Sequence, residues 1–321
     1  MSLFAKPEVT ILKESSDAKE YLSKLEELQS TVKKGSQLYK KLDKEISIVK
    51  AGIIGEEAIL FELKNSGMDL VVLHDICLVD QDGNTAQIDF LVLTPYVRVF
   101  IECKNLFGDI EINNKGEFIR TIEYGNKRNK EGLYSPITQN ERHMLVFKNC
   151  ITKDKNIIMR TGIEKLFDHW NRSLVVLANP KTILSDQYAP KDVKCKVIRA
   201  DQLIKTLKSF KAADKFSKKE LIEDGNNILS INHEDRKDYL EKFLELKKEM
   251  EAEEEAMKTD QASAETPAPT SVQKEEKLCP KCGSKLVLRT AKKGNYQGNQ
   301  FWGCNRYPKC RYMENLIPDH D

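Results

Sequence analysis

Apolar residues recur at three- and four-residue steps between residues 17 and 50, at Leu25, Leu28, Val32, Tyr39, Leu42, Ile46 and Val49, with charges between them. That spacing predicts a long N-terminal helix with one apolar stripe, which Gly35 interrupts. Beyond Ala51 the period changes repeatedly. Residues 55–65 repeat as a helix and 70–78 run extended, while 87–93 and 97–104 alternate as two strands joined at Thr94-Pro95-Tyr96. Residues 109–112 and 118–122 read as further strands, and 125–132 as a charged loop. Ser135-Pro136 supplies a cap and a first-turn proline for a helix to about Cys150. The unbroken apolar run 173–178 reads as a buried strand, and 196–199 precedes a helix over 202–210 capped by Asp201. Such alternation predicts a mixed α/β domain over residues 51–210.

Residues 211–257 read as a helical extension, and 258–277, proline-broken and polar, as a disordered linker to a module at 278–318. The N-terminal stripe leaves two readings open, packing within the chain or a homodimer face. Charge is segregated at the far end. Residues 249–276 hold nine acids against two lysines, whereas 278–321 hold eight Lys or Arg against three acids.

Length and composition add bounds. A chain of 321 residues suggests about two domains, and 40% hydrophobic residues suffice for a core. Its net charge of +2 gives no global polyelectrolyte signal, so nucleic-acid affinity would have to come from local patches. No apolar stretch of membrane-spanning length occurs, and residues 1–6 lack a signal-peptide core, so no membrane partner and a cytoplasmic location are expected. Cys77, Cys103, Cys150 and Cys195 stand singly in apolar contexts, as buried free thiols do. Four more cysteines cluster near the end, and a reducing compartment suits both sets.

Candidate chemistry begins in the strand pair. If Leu93 opposes Arg98, the antiparallel register sets Asp89 opposite Glu102 and Gln87 opposite Lys104, all on one face. Two opposed carboxylates repel unless a divalent cation takes both, and a neighbouring lysine can orient a water or offset phosphate charge, as in a metal-dependent phosphodiesterase. The bland alternative is a solvated, charged strand face. Glu56 shares a helical side with Ile59, Leu60 and Leu63 and points inward, whereas Glu57 points out. His143, one turn after Gln139, can face the same site, although a lone histidine on a helix is more often a packed or surface residue, and the other histidines form no spaced set. Lys127, Arg128 and Lys130 leave open a phosphate contact or a merely solvated loop.

The C-terminal spacing is more specific. Cys279-Pro-Lys-Cys282 and Cys304-x5-Cys310 are separated by 21 residues, a four-thiolate zinc pattern that lets so small a module fold. Arg289, Lys292, Lys293, Tyr296, Trp302, Arg306, Tyr307, Lys309 and Arg311 interleave cations with flat rings, which suits a single-stranded backbone and its unpaired bases. Phe301 is expected in the module's small core. Together these residues resemble the C-terminal four-cysteine zinc finger of bacterial type IA DNA topoisomerases, over about 40 residues. The resemblance implies DNA binding.

Gly52-x-x-Gly55-Glu56 opening a helix, Gln87-Ile-Asp89, Glu102-x-Lys104-Asn105 and Ser135-Pro136-x-x-Gln139 resemble the nuclease-related NERD domain of the PD-(D/E)xK superfamily, across residues 50–150. Serine stands where the family helix usually opens with asparagine. The resemblance implies a restriction-endonuclease-like core, a mixed central sheet flanked by helices, with Asp89 and Glu102 as ligands for Mg²⁺ or Mn²⁺. It also implies Lys104 as catalytic lysine, Glu56 as auxiliary acid and Gln139 as a supporting polar group. Two functions stay open on this basis, a DNA nuclease acting in processing, repair or defence and a catalytically silent DNA-binding or assembly module.

Overall fold

The computed structural model describes residues 6–14, 16–233, 239–262, 277–291 and 300–315, in two compact units, Met1–Ala252 and Glu253–Asp321. In the larger unit the strands are β1 (Val9–Lys13), β2 (Leu70–Val79), β3 (Thr85–Leu93), β4 (Arg98–Lys104), β5 (Asp109–Ile112), β6 (Phe118–Tyr124), β7 (Lys127–Leu133), β8 (Asn171–Leu177), β9 (Leu184–Ser185) and β10 (Val197–Arg199). The helices are α1 (Ala18–Ser30), α2 (Gln37–Lys64), α3 (Pro136–Thr152), α4 (Ile157–Trp170), α5 (Lys191–Lys194), α6 (Leu203–Ser209), α7 (Lys218–Leu229) and α8 (Glu241–Ala262), the last of which starts in this unit and crosses its boundary at Ala252.

A six-stranded mixed sheet of order β1-β2-β3-β4-β8-β10 forms the centre. The β2-β3-β4 meander is antiparallel, while β1, β8 and β10 join in parallel. Its register is set locally. The Thr94 hydroxyl accepts the amides of Tyr96 (3.2 Å) and Val97 (3.0 Å) and donates to the Val97 carbonyl (2.8 Å), which closes the turn with Leu93 opposite Arg98. The second half of β8 is apolar because both its faces are covered there, Leu174 and Val176 on one side, Val175 and Leu177 on the other. On the first face lie α2 and α6, with Ile59, Leu63, Leu203 and Leu207 against Phe90, Val92, Val99 and Ile101. Met144, Val146 and Phe147 of α3, with Phe167 of α4 and Leu221 of α7, cover the second. The segment 125–132 is not a loop but, for the most part, β7, the edge of a second sheet of order β7-β6-β5-β9. Its Lys130 and Arg128 pair with Glu111 (3.1 Å) and Glu123 (3.4 Å).

Helix α2 departs most from the sequence reading. Ser36 caps it, accepting the Tyr39 amide at 3.1 Å, and Gly35 breaks the chain before it with a φ of +86°. It then runs unbroken past position 50, so the boundary expected there falls inside one helix. Its first half buries Leu38, Leu42 and Ile46 against Leu25 and Leu28 of α1 and Phe243 of α8, and its second half packs on the sheet. The stripe that left a homodimer face open is thus covered within the chain. Leu42→Ala is expected to lower the unfolding free energy by about 2–5 kcal/mol at unchanged oligomeric state. Chemical denaturation at several protein concentrations checks this; a concentration-dependent midpoint would mean that the stripe works between chains.

Smaller departures have local causes. A 3-10 turn over Ala200–Gln202 precedes α6, and Asp201 pairs with Arg199 at 3.4 Å instead of capping. The expected helix over 211–257 is two helices, α7 and α8, and α8 extends into the start of the expected linker, whose residues 263–276 lie outside the described residues. Cys195 is exposed, and Cys77, Cys103 and Cys150 are only half-buried. Among the described residues no helix is long and apolar enough to cross a membrane.

In the smaller unit β11 (Leu286–Thr290), β12 (Gln300–Cys304) and β13 (Met313–Asn315) form an antiparallel sheet. The fold is therefore mixed α/β, sheets flanked by helices, with a small four-cysteine ribbon.

Candidate active site and metal centre

The β3–β4 ladder runs from Leu93↔Arg98 to Phe90↔Ile101, and the same register carries Asp89 to a place opposite Glu102. There the ladder stops. Asp89 Oδ2 accepts the Cys103 amide at 2.8 Å, so a side chain takes the place of a strand carbonyl. On the other side of β3 the pairing passes from Ile76↔Ile88 to His74↔Phe90, skipping Asp75, whose φ of +59° is left-handed. Gln87 does not join Lys104. It pairs with Cys77 in the β2–β3 ladder and donates to Asp75 Oδ1 at 2.9 Å.

Glu102 is 2% exposed and divides its oxygens. Oε1 accepts from Lys104 Nζ at 2.6 Å, and Lys104 Nζ also donates to Gln139 Oε1 at 3.1 Å. Oε2 has no hydrogen-bond partner. Gln139 reaches Lys104 because α3 starts where Ser135 caps it, accepting the Thr138 amide at 3.3 Å, and because Asn140 fixes the helix to the sheet. The Asn140 amide is fully buried and donates to the Phe100 carbonyl (2.8 Å) and the Ser173 hydroxyl (3.0 Å). Sequence periodicity gave no hint of that anchor.

Glu56 comes from α2 on the other side of the sheet. Its neighbour Gly55 allows the approach: a Cβ there would lie 2.6 Å from Asn105 Cβ and 3.0 Å from Cys103 Sγ. Asn105 in turn donates to the Ala51 carbonyl at 2.7 Å. Gly52 and Gly55 lie within α2 and do not open it. Glu57 points outward to Lys19 at 2.7 Å, as its face requires. Glu56 meets His74, with Oε2 at 2.9 Å from Nε2, while His74 Nδ1 lies 2.9 Å from the Glu14 carbonyl and its ring stacks on Phe90 at 4.5 Å. His143 also lies here, half-buried, with its Nδ1 out of solvent and 3.6 Å from Glu102 Oε2. Sequence reasoning missed His74 and gave His143 only a minor place at the site. The available signal was their position, His143 four residues after Gln139 and His74 directly across from Phe90, the residue after Asp89.

Burial, reinforced by the negative charge of Glu102, holds the Asp89 carboxyl well above the usual carboxylate range. Burial also raises Glu102, with Lys104 pulling the other way. Desolvation and then the Lys104 charge push the His143 imidazole down to about 4. A carboxyl with a raised folded pKa keeps its proton after the unfolded chain has lost it. Stability therefore falls as pH rises through the window between the ordinary and the raised value. Asp89→Asn is accordingly expected to melt higher than the wild type at pH 8 without divalent cations, and the gap to close towards pH 4. Thermal melts at the two pH values check this.

An orphaned, buried carboxylate oxygen beside a second acid fits a hard divalent cation. Among the described residues only the four cysteines bring three or more ligand atoms within 4.8 Å of one another. A cation on Asp89 and Glu102 would thus complete its shell with water or phosphate oxygens, as Mg²⁺ commonly does.

The cysteines fit a different ion. Sγ atoms lie 3.7 Å apart for Cys279 and Cys310 and 3.4 Å for Cys282 and Cys304, far beyond a disulfide bond but near the separation of about 3.8 Å that tetrahedral Zn–S bonds of about 2.3 Å require. Gly283, at a φ of +67°, lets its own amide and that of Cys282 turn back to the Cys279 carbonyl at 2.8 and 3.3 Å. Hydrogen bonds from Ser284 draw the Cys282 thiol down to about 6. The Arg306 amide favours the Cys304 thiolate, yet burial and the neighbouring thiols push that group up to about 12. Four crowded thiols cannot all ionise without a cation, and this donor set is the one zinc takes.

Arg289, Arg306, Tyr307, Lys309 and Arg311 are exposed around this centre. Trp302 is half-buried under Lys277, whose Nζ lies 5.8 Å from its ring. Trp302 and Tyr312, not Phe301, pack against the cysteine core. Strand alternation decides this, since Phe301 pairs with Arg289 on the opposite face from Trp302. Lys292, Lys293 and Tyr296 lie outside the described residues.

Comparison with known proteins agrees with this division. Residues 51–178 match the nuclease-related domain family, NERD, and residues 276–319 match the topoisomerase DNA binding C4 zinc finger. Over 43 residues, 13% of the chain, the sequence is 54% identical to DNA topoisomerase 1 of Methanocaldococcus jannaschii. That stretch spans 5% of the topoisomerase, and no solved structure matches the chain. The chain thus carries a nuclease-related domain and a topoisomerase-type zinc finger.

Proposed function

We propose that this protein is a divalent-metal-dependent DNA nuclease whose zinc finger holds the substrate, single-stranded DNA in particular. The observation that carries the reading is buried Glu102, with one oxygen held by Lys104 and the other orphaned beside Asp89, within the segment that matches a nuclease-related family. Asp89 and Glu102 hold the metal in this reading. When bound, Mg²⁺ or Mn²⁺ would polarise the scissile phosphate and make water a better nucleophile at neutral pH.

The remaining work falls to side chains. Lys104, kept in place by Gln139 and Glu102, orients the attacking water and offsets charge that builds on the phosphate. Glu56, steadied by His74, adds an acid from the α2 side. In the finger, Arg289, Arg306, Lys309 and Arg311 follow the phosphates while Trp302 and Tyr307 stack on bases, with Lys292, Lys293 and Tyr296 assigned the same task. Processing, repair or defence of DNA are settings that suit such an enzyme.

The test is cleavage of single- and double-stranded DNA by the purified protein with Mg²⁺ or Mn²⁺. Metal-dependent products are expected. Bound DNA that stays intact in every case would overturn the enzyme and leave the silent binding module.

A further inference from the structure

Two buried polar atoms in the larger unit face each other and bond to nothing. Glu102 Oε2 and His143 Nδ1 lie 3.6 Å apart, each without a hydrogen-bond partner, on side chains 2% and 14% exposed. Leaving one such atom unsatisfied costs about 1–3 kcal/mol, and native proteins rarely bear that without a use. The separation suits a shared cation. Two donors on one ion, each with a bond of about 2.1 Å, stand about 3.0–3.6 Å apart for angles between about 90° and 120°. Helix α3 builds the arrangement from one face, since Gln139 and His143, a turn apart, reach Lys104 and Glu102 in turn. Lys104 occupies Oε1 and leaves Oε2 for the ion.

We propose that His143 is a nitrogen ligand, together with Glu102, of the divalent cation at the candidate active site, that Asp89, which does not lie within 4.8 Å of both these atoms, reaches the ion through a bridging water, and that His143 biases the site towards Mn²⁺ over Mg²⁺. The inference rests on the metal site proposed above. Imidazole suits transition ions, whereas Mg²⁺ is bound by oxygen and keeps its waters. A site of carboxylates alone takes both ions and would show a smaller bias.

The experiment uses the full-length, untagged protein with zinc already in the finger and Mn²⁺ as the probe. Electron spin-echo spectra of the bound Mn²⁺ are expected to carry the nitrogen coupling of one imidazole, and His143→Gln to abolish it. Mn²⁺ affinity should fall at least about tenfold in that variant, the loss that removal of even an outer partner can cause, while Mg²⁺ affinity changes by under about threefold. Mn²⁺ bound to the wild type without nitrogen coupling overturns the role of His143 and leaves the metal site standing. Coupling that survives His143→Gln assigns the nitrogen to another histidine and overturns it equally. Failure of the wild type to bind Mn²⁺ at all removes the metal site and the ligand with it. The wild-type spectrum decides even if the variant folds poorly.

Discussion

Lys104→Ala is expected to lower metal-dependent DNA cleavage by about 10²–10⁴-fold while DNA affinity stays within about twofold. Among the described residues the ammonium is the one cation hydrogen-bonded to Glu102, at 2.6 Å, and it is fixed from a second side by Gln139 at 3.1 Å. Its loss acts twice. The water and phosphate lose the charge that orients them, and a carboxylate already raised by burial loses the neighbour that kept it ionised, so its hold on a cation weakens. Lys104→Arg should restore little, because a planar guanidinium cannot occupy a point-charge position between two oxygens. Gln139→Ala removes only the second tether and should cost less, about tenfold. Single-turnover cleavage of a labelled oligonucleotide separates these variants, with a thermal melt to show that each is folded. Products made equally fast by wild type and Lys104→Ala would mean that the cleavage comes from elsewhere.

Stripping the zinc should have an effect of similar size at the other end of the chain. Among the described residues the ribbon's buried core is little more than Cys279, Leu286, Cys304 and Cys310, with Cys282, Trp302 and Tyr312 against it, far too small to hold three short strands. Structural zinc supplies about 10–16 kcal/mol in comparable peptides, so chelation or Cys282→Ser should unfold the ribbon outright. Trp302 reports this by fluorescence. Single-stranded DNA affinity should fall at the same metal concentration, and its salt dependence should flatten. Six phosphate contacts, from Arg289, Lys292, Lys293, Arg306, Lys309 and Arg311, correspond to a slope of about −4 on single strands, which the unfolded tail cannot present in register. Unchanged affinity after deletion of residues 278–321 would remove the finger from substrate binding.

What could be read from the chain follows a physical line. The β3–β4 register was legible because a four-residue turn anchored by Thr94 leaves the strands one pairing, and the cysteine ribbon because four ligands on one ion fix their own spacing. Strand β7 was not. Its residues Lys127–Leu133 lie on an exposed edge with almost no apolar member, so burial imposes no period on them. Strand β1 is five residues that gain meaning only from pairing with β2, some sixty positions away. His74 and His143 belong to the same class, since each matters through an atom on another element. Within α2, the change from packing on helices to packing on a sheet looked like a boundary, although the backbone runs straight through it.

The interrupted ladder at Asp89 has a dynamic consequence. Regular pairing holds β3 from Phe90 to Leu93 and from Thr85 to Ile88, but between them neither neighbour pairs with it. Amide protons in a fully paired strand exchange only when the sheet opens as a whole, whereas those beside such a gap exchange through small local excursions. The Cys103 amide is protected by the Asp89 carboxylate rather than by a strand carbonyl. Its hydrogen-exchange rate is therefore a built-in gauge of that carboxylate, changing whenever a proton or a cation draws the oxygen away.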